Sequence, residues 1–368
     1  MLRTRAAAER IAARLRARAP VVRAFFEREA LPLARAAREM AERFTAGGRL
    51  FAFGSGPYAT DAAHVSVEFI HPVIVGKVAL PAIDASSAPD AFVAALAGAG
   101  DMAIGFGPPE GDPAVDCALD VARRHGAFTA AWPGARADYA VRAPSDDAHV
   151  HQEAFEILGH TLYESVHVFL EHARTPDDDV GASSFLYPFL GAGNAGDVVG
   201  DVAASVLAKA RDADALRERI AAEESETIAA AAAAVRDRLA RGGRILTFGN
   251  GGSATDATDF ALDCMQASPG MPAVPAHSLA AEPATLTAIA NDVGVELSFL
   301  RQLVAHARPH DVAVAFSTSG GSKNVVAALQ EARRRGLLTI ALLGYDGGEI
   351  VRRGLADVAI VVRSDYVP

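Results

Sequence analysis

Two glycine- and hydroxyl-rich turns in the C-terminal half of the chain have the composition of an anion-binding site. Segments 248–253 (FGNGGS) and 317–322 (STSGGS) each follow a short apolar run and precede a helical pattern. Small residues let the backbone approach an anion, while hydroxyls and the first N–H groups of a helix donate to it. One such turn is equally explained as a helix cap with a flexible turn. Two in one domain predict a phosphate site, although neither matches the dinucleotide fingerprint or the lysine-containing P-loop.

An internal repeat indicates which elements hold these turns. Segment 47–54 (GGRLFAFG) matches 242–249 (GGRILTFG), and 101–106 (DMAIGF) matches 311–316 (DVAVAF). Each copy reads as helix, apolar strand, glycine-rich turn, helix, strand, loop, helix, strand. Short apolar strands that alternate with helices predict a parallel sheet covered by helices on both faces.

The repeat divides the 368-residue chain into two domains, each long enough to bury its own core. We place the first domain at 1–173 and the second at 201–368. The acidic, glycine-rich stretch 174–200 between them is the predicted linker. Within it, Phe185–Leu190 (FLYPFL) is too apolar for a free tether, so we expect this segment to pack against a domain.

The composition narrows the class of partner. The chain is 51% hydrophobic and 22% charged, as in globular proteins, and its net charge of -10 argues against a nucleic-acid partner. Two cysteines are too few for a disulfide framework and lack zinc spacing. The sequence has no apolar run near the ~18–20 residues that cross a bilayer, and its Arg- and Ala-rich start reads as an amphipathic helix. We therefore expect a cytoplasmic protein without a nucleic-acid or membrane partner.

Four segments of the second half resemble, in order and spacing, the phosphoheptose isomerase (sedoheptulose 7-phosphate isomerase) family of sugar isomerase (SIS) domains. They are 249–253 (GNGGS), 289–292 (IAND), 317–322 (STSGGS) and 343–348 (LGYDGG). The resemblance is clear over the second domain and fainter over the first. It implies an α/β fold of two tandem SIS domains, each a parallel sheet flanked by helices in a Rossmann-like three-layer sandwich. By this resemblance, the residues that bind substrate and phosphate are Asn250, Gly251, Ser253, Asp292, Ser317, Thr318, Ser319 and Ser322.

The same resemblance implies a metal and acid–base site in the first half. In the family a glutamate base and a histidine acid act through an enediol, and some members hold zinc with this pair, a second histidine and a glutamine. His64 and Glu68 have the family's i,i+4 spacing, which places both on one helical face, and Gln152 and His160 have the spacing of the other pair. A single helical histidine is more often structural. Four matching residues predict that zinc is held by His64, Glu68, Gln152 and His160, with Glu68 as the base and His160 as the acid.

The two halves depart from the family in complementary ways. In the second half Asp259 and Asp263 replace the histidine and glutamate, and Pro368 stands where the helix with the other pair would begin. The second domain is therefore predicted to lack its last helix. In the first half Tyr58 replaces the phosphate serine, and the hydroxyl loop has become 107–112 (GPPEGD), whose acidic side chains are expected to repel phosphate.

These departures leave two functions open. In one, the second domain binds the phosphate of a sugar phosphate, and the first domain of the same or a partner chain supplies the acid–base groups and zinc of an isomerase. In the other, the protein is a non-catalytic phosphosugar sensor or protein-binding scaffold. Because family members are homo-oligomers, we expect a homodimer, which would be a pseudo-tetramer of SIS domains. A seven-carbon substrate is implied by the resemblance alone.

Overall fold

The computed structural model of the chain describes residues 2–72, 77–174, 197–266 and 272–364. Most of the predicted linker, including Phe185–Leu190, lies outside the described residues, so its packing stays a prediction. None of the helices in the described ranges is long and apolar enough to cross a membrane.

The chain divides into two compact units. Arg18–Ala215 forms the N-terminal unit, and Leu216–Val367 together with Met1–Ala17 forms the C-terminal unit. The first 17 residues therefore group with the second half of the sequence rather than with the first. Two long helices, α1 (Leu2–Thr45) and α6 (Val198–Glu223), have residues in both units.

The N-terminal unit contains a five-stranded parallel sheet with the strand order β2-β1-β3-β4-β5. Its strands are β1 (Leu50–Gly54), β2 (Ala82–Asp84), β3 (Met102–Phe106), β4 (Phe128–Trp132) and β5 (Tyr139–Ala140). The helices between and after them are α2 (Ala59–Ile70), α3 (Pro89–Leu96), α4 (Pro113–Arg124) and α5 (Ala148–Arg174).

The C-terminal unit contains a second five-stranded parallel sheet, with the order β7-β6-β8-β9-β10. Its strands are β6 (Ile245–Phe248), β7 (Ala276–Ser278), β8 (Val312–Ser317), β9 (Leu338–Gly344) and β10 (Val358–Val362). Its remaining helices are α7 (Ser225–Leu239), α8 (Gly252–Gln266), α9 (Pro283–Val293), α10 (Ser298–His306), α11 (Lys323–Arg334) and α12 (Gly348–Arg352).

Helices cover both faces of each sheet, as the short apolar strands predict. Along β1, Leu50 and Ala52 belong to one hydrophobic cluster, whereas Phe51 and Phe53 belong to another. Successive side chains of a strand point to opposite faces, so a strand that is apolar throughout needs a cover on each side. Strand β8 divides its side chains between two clusters in the same way.

The same polar contact holds the start of the second long strand in both sheets. The Asp101 carboxylate accepts a hydrogen bond from the Arg49 backbone N–H (2.8 Å), and the Asp311 carboxylate accepts one from the Arg244 backbone N–H (3.0 Å). These aspartates open the matched segments 101–106 and 311–316. The match therefore includes a buried tertiary contact as well as the apolar pattern.

The sequence pattern did not predict the shortest strands. Strands β2, β5 and β7 have two or three residues each, too few to show an alternation, and their positions depend on pairing with a longer neighbour. The units also differ between their second and third strands in chain order. The N-terminal unit has the single eight-residue helix α3 there, whereas the C-terminal unit has α9 and α10.

Candidate functional site

The two hydroxyl-rich turns of the C-terminal unit lie at the same edge of its sheet. Strands β6 and β8 are adjacent and parallel, so their carboxyl ends meet, and each turn follows one of these ends. The chain leaves β6 toward β7 on one side and returns to β8 on the other. Open α/β sheets bind ligands where the strand order reverses in this way. The fold therefore brings together the two turns that the sequence singles out.

Close backbone packing explains the glycines of these turns. A Cβ atom on Gly249 would lie 2.3 Å from the Ser253 carbonyl oxygen. Gly320 has a φ of +58°, and a Cβ atom there would lie 2.1 Å from the Gly347 carbonyl oxygen. Only glycine fits both positions without a shift of the backbone. The second turn is thus packed against the segment that opens α12.

Two serine hydroxyls of the second turn, that of the buried Ser317 and that of the exposed Ser319, accept hydrogen bonds from backbone N–H groups of the same turn. Ser317 Oγ accepts from the Gly320 N–H (3.1 Å), and Ser319 Oγ accepts from the Gly321 N–H (3.2 Å). A hydroxyl that accepts through its oxygen keeps its own proton to donate. Within the described ranges, the Ser322 side chain caps none of the amides of α11. This turn can therefore offer several O–H and N–H donors to an anion.

The remaining predicted ligand-binding residues lie on separate elements. Asn250 is in the first turn, and its side chain pairs with Asn324. Ser253, next after Gly252, lies in the first turn of α8 and is partly exposed. Asp292 lies on α9, is exposed and accepts from the Asn291 amide (2.9 Å). Their roles toward a ligand stay predictions.

The N-terminal unit brings three of its four predicted metal-site residues to one pocket. His64 and Glu68 lie one turn apart on α2, which packs against α5, the helix that carries His160. Glu68 Oε1 is 2.5 Å from His160 Nδ1, and the rings of His64 and His160 meet edge to face with centroids 4.9 Å apart. The fourth residue, Gln152, instead donates to an oxygen of Asp61, 3.2 Å away.

Glu68 and His160 hold each other in their charged forms. Burial alone would raise the pKa of Glu68, but the imidazoles of His160 and His64 outweigh it and hold that pKa below its usual value. Burial alone would lower the pKa of His160, but the Glu68 carboxylate raises it above its usual value. A carboxylate next to an imidazolium is one proton acceptor beside one proton donor. This is the pair of groups that an acid–base reaction needs.

A residue that the sequence analysis did not single out completes a set of metal ligands. Ligand atoms of His64, Glu156 and His160 all lie within 4.8 Å of one another. Two imidazole nitrogens and a carboxylate oxygen are a donor set that suits a catalytic zinc ion. Glu156 lies one turn after Gln152 and one turn before His160 on α5. The i,i+4 spacing of Glu156 from both Gln152 and His160 could have indicated it from the sequence. The family resemblance, however, pointed only to Gln152 and His160.

The N-terminal unit replaces a phosphate cradle with its own carboxylate. Asp112 stands at the start of α4, at the place that Ser322 has before α11, and accepts from the Ala114 N–H (2.7 Å). A hydrogen bond from the Ser55 hydroxyl, together with backbone N–H donors, holds the pKa of Asp112 below its usual value against partial burial. Asp112 is therefore expected to repel phosphate by its charge, and it also occupies N–H donors at the N-terminus of α4. The predicted loss of this cradle has a structural cause.

Comparison with known proteins identifies the family. Residues 210–344 match the SIS domain. The phosphoheptose isomerase of Chlorobaculum parvum is 45% identical over 150 residues, a match that covers 40% of this chain and 71% of the relative. That of Paramagnetospirillum magneticum is 44% identical over 156 residues, covering 39% of this chain and 80% of the relative. The chain belongs to the phosphoheptose isomerase family. This confirms the resemblance inferred from the sequence motifs.

Solved structures extend the likeness in fold to nearly the whole chain. A candidate tagatose-6-phosphate ketose/aldose isomerase from Clostridium novyi NT aligns with a TM-score of 0.60 at 11% identity, covering 97% of this chain and 82% of its own. The tagatose-6-phosphate ketose/aldose isomerase of Escherichia coli aligns with a TM-score of 0.50 at 14% identity, covering 95% and 85%. At these identities the likeness concerns the fold alone. The α/β architecture of two SIS-type units is thereby confirmed for this member of the phosphoheptose isomerase family.

Proposed function

We propose that this chain binds a sugar phosphate such as sedoheptulose 7-phosphate and interconverts its aldose and ketose forms through an enediol. The observation that carries the proposal is the buried pair of Glu68 and His160, whose facing atoms lie 2.5 Å apart in a pocket also lined by His64 and Glu156. Membership of the phosphoheptose isomerase family supports the class of substrate.

The C-terminal unit would hold the phosphate. Two turns at the end of β6 and β8 provide hydroxyl and backbone donors, and both precede helices whose first N–H groups favour negative charge. We assign phosphate binding to Gly251, Ser253, Ser317, Thr318, Ser319 and Ser322. Asn250 and Asp292 are assigned to the sugar.

Glu68 and His160, from the same chain or from a partner chain, would move the protons. In an aldose–ketose conversion, the base takes a proton from the carbon next to the carbonyl, and the acid protonates the carbonyl oxygen to give the enediol. The base then returns its proton to the former carbonyl carbon, and the other hydroxyl gives its proton to the acid as it becomes the new carbonyl, so both groups regain their starting protonation. Glu68 is the ionised base and His160 the protonated acid.

Zinc is the metal that we propose for the N-terminal unit, with His64, Glu156 and His160 as its ligands. Because a histidine nitrogen binds zinc only when it carries no proton, zinc bound there would replace the His160 proton as the group that polarises the carbonyl. When bound, zinc polarises a carbonyl and stabilises the negative charge of an enediolate. We favour Glu156 over Gln152 as a ligand because Glu156 lines the pocket together with His64 and His160, and Gln152 is not among the described residues that line it.

Zinc binding should therefore depend on Glu156 and be insensitive to Gln152. Equilibrium dialysis followed by elemental analysis is expected to show a drop in zinc affinity of tenfold or more for H64A and E156Q, in line with the ~10–100-fold typical of disturbed metal sites. Q152A serves as the matched control because it lies on the same helix one turn before Glu156. Loss of zinc in Q152A together with retention of zinc in E156Q would contradict this assignment and support the ligand set inferred from the sequence.

The direct test of the proposed function is an isomerisation assay with sedoheptulose 7-phosphate, with and without a chelator. We expect turnover that the chelator removes and added zinc restores. Phosphosugar binding without turnover, in protein with a full complement of zinc, would contradict the isomerase.

A non-catalytic phosphosugar-binding role is the second candidate, and one observation favours it. The unit with the hydroxyl-rich turns carries Asp259 and Asp263 on α8, where the family resemblance expects a histidine and a glutamate. A unit of this kind could bind a sugar phosphate without proton transfer. The same assay separates the two roles, since this candidate predicts binding and no isomerisation.

A further inference from the structure

The loop after β6 and the start of α11 are joined by a reciprocal pair of amides. Asn250 Nδ2 donates to Asn324 Oδ1 (2.9 Å), and Asn324 Nδ2 donates to Asn250 Oδ1 (2.8 Å). Asn324 is 8% exposed, whereas Asn250 is exposed at the edge of the sheet that carries the hydroxyl-rich turns. The pair therefore has one buried and one accessible member.

The direction of the buried amide is fixed by its other neighbours. The Val325 N–H can only donate, and Asn324 Oδ1 accepts from it at 3.0 Å. On the other side, Ser298 Oγ donates to the Val295 carbonyl (2.8 Å), so it accepts from Asn324 Nδ2 at 3.3 Å. These contacts leave a single orientation of the Asn324 amide in which every donor meets an acceptor.

The orientation of Asn324 in turn determines that of Asn250. An asparagine amide has two N–H donors and an oxygen with two lone pairs, and the pair uses one donor and one lone pair of Asn250. One N–H and one lone pair stay on its exposed edge. A hydroxyl group can bond either of them, since it can accept from the N–H or donate to the lone pair.

We propose that Asn324 is a positioning residue for sugar recognition, which fixes the direction in which Asn250 presents its free N–H and carbonyl oxygen to a hydroxyl of the sugar phosphate. This inference rests on the proposed function of the C-terminal unit. Asn324 itself is buried and acts only through Asn250, with Ser298 as the support behind it.

The N-terminal unit provides an internal comparison. By the alignment of 47–54 with 242–249, Ser55 corresponds to Asn250, and by the starts of α4 and α11, Ala114 corresponds to Asn324. Neither residue can form an amide pair, and the Ser55 hydroxyl bonds Asp112 instead. The amide pair is thus present in the unit that keeps the hydroxyl-rich turns and absent from the described part of the unit that has lost them.

Measuring the affinity for two ligands distinguishes a positioning role of Asn324 from a general effect of its substitution on the fold. Isothermal titration of the full chain is expected to show about tenfold weaker binding of sedoheptulose 7-phosphate to N324L, because the loss of a hydrogen bond or two costs roughly this factor. Inorganic phosphate, which has no sugar hydroxyls, should bind within about twofold of the wild-type affinity. Leucine removes the amide at similar volume and adds no charge near the phosphate.

The controls use other residues of the same unit. T339V removes instead a buried hydroxyl near the start of β9 that bonds the Asp357 carboxylate, and it is expected to leave the ratio of the two affinities unchanged. In the N250A background, N324L should have no further effect on that ratio, since Asn324 acts through Asn250. N324S, a smaller change, provides the same comparison if N324L does not fold.

Two results would overturn the inference and are distinguishable. Equal losses of sugar phosphate and inorganic phosphate in N324L and N324S would show that Asn324 only holds the fold. Failure of the wild-type chain to bind sedoheptulose 7-phosphate would contradict the proposed function, and this inference with it.

Discussion

Replacing Glu68 by glutamine is expected to lower turnover of sedoheptulose 7-phosphate by about 10³-fold while leaving its affinity unchanged within about twofold. A positioned general base contributes roughly 10²–10⁴-fold to a rate, and an amide of the same shape cannot accept the carbon-bound proton. The side chain is 5% exposed and bonds His160, so the substitution keeps the packing and one hydrogen bond while removing the charge. Turnover by steady-state assay and affinity by calorimetry give the two quantities.

E153Q is the matched control for this substitution. Glu153 lies on α5 and pairs with Arg18 at 2.6 Å, away from the pocket of Glu68 and His160. It should keep wild-type turnover. An E68Q protein that isomerises the sugar phosphate at the wild-type rate would exclude Glu68 as the base, and another group would have to take the proton.

Replacing Gly320 by alanine is expected to reduce affinity for inorganic phosphate by more than tenfold and to lower the free energy of unfolding by ~1–3 kcal/mol. A backbone held at positive φ disfavours a Cβ atom, and strain of this kind costs about that much. Here the new methyl group would also lie 2.1 Å from the Gly347 carbonyl oxygen, which is backbone and yields little. The loop that presents Ser317 and Ser319 must therefore shift. Calorimetry and denaturant titration measure the two effects.

The neighbouring glycine supplies the control. A Cβ atom on Gly321 would have Ser319 Oγ at 3.8 Å as its nearest contact, an ordinary van der Waals distance. G321A should therefore keep both the stability and the phosphate affinity of the wild type. If G320A bound phosphate as tightly as G321A, the assignment of this turn to phosphate would be wrong.

Features with a local sequence signature could be predicted. Apolar runs predicted the long strands, and the glycine-rich turns after β6 and β8 predicted the edge of the sheet to which we assign phosphate binding. Gln152 and His160, paired by their spacing, lie on one helix, α5 (Ala148–Arg174). Hydrophobic periodicity and turn residues are visible in short stretches of sequence, so they can be recognised without knowledge of the tertiary structure.

Contacts between distant elements could not be predicted in this way. Glu156 on α5 contacts His64 on α2 at 3.6 Å, and Asn324 at the start of α11 bonds Asn250 in the loop after β6. Each is an ordinary polar residue on a helix until the packing shows what it faces. The same holds for the first 17 residues, whose assignment to the C-terminal unit depends on packing rather than on a pattern in the sequence. The linker bounds at 174–200 and the oligomeric state stay predictions.

The carboxylate of Asp112 has a consequence for stoichiometry. This carboxylate accepts hydrogen bonds from N–H groups at the N-terminus of α4 that a phosphate would otherwise use. Because Asp112 is part of the chain, it occupies these donors whatever the concentration of free phosphate. If the C-terminal unit binds phosphate as proposed, the two units, which have the same sheet order, would together bind one phosphate per polypeptide. A titration of the full chain is then expected to saturate at one phosphate, with no phosphate bound at the start of α4.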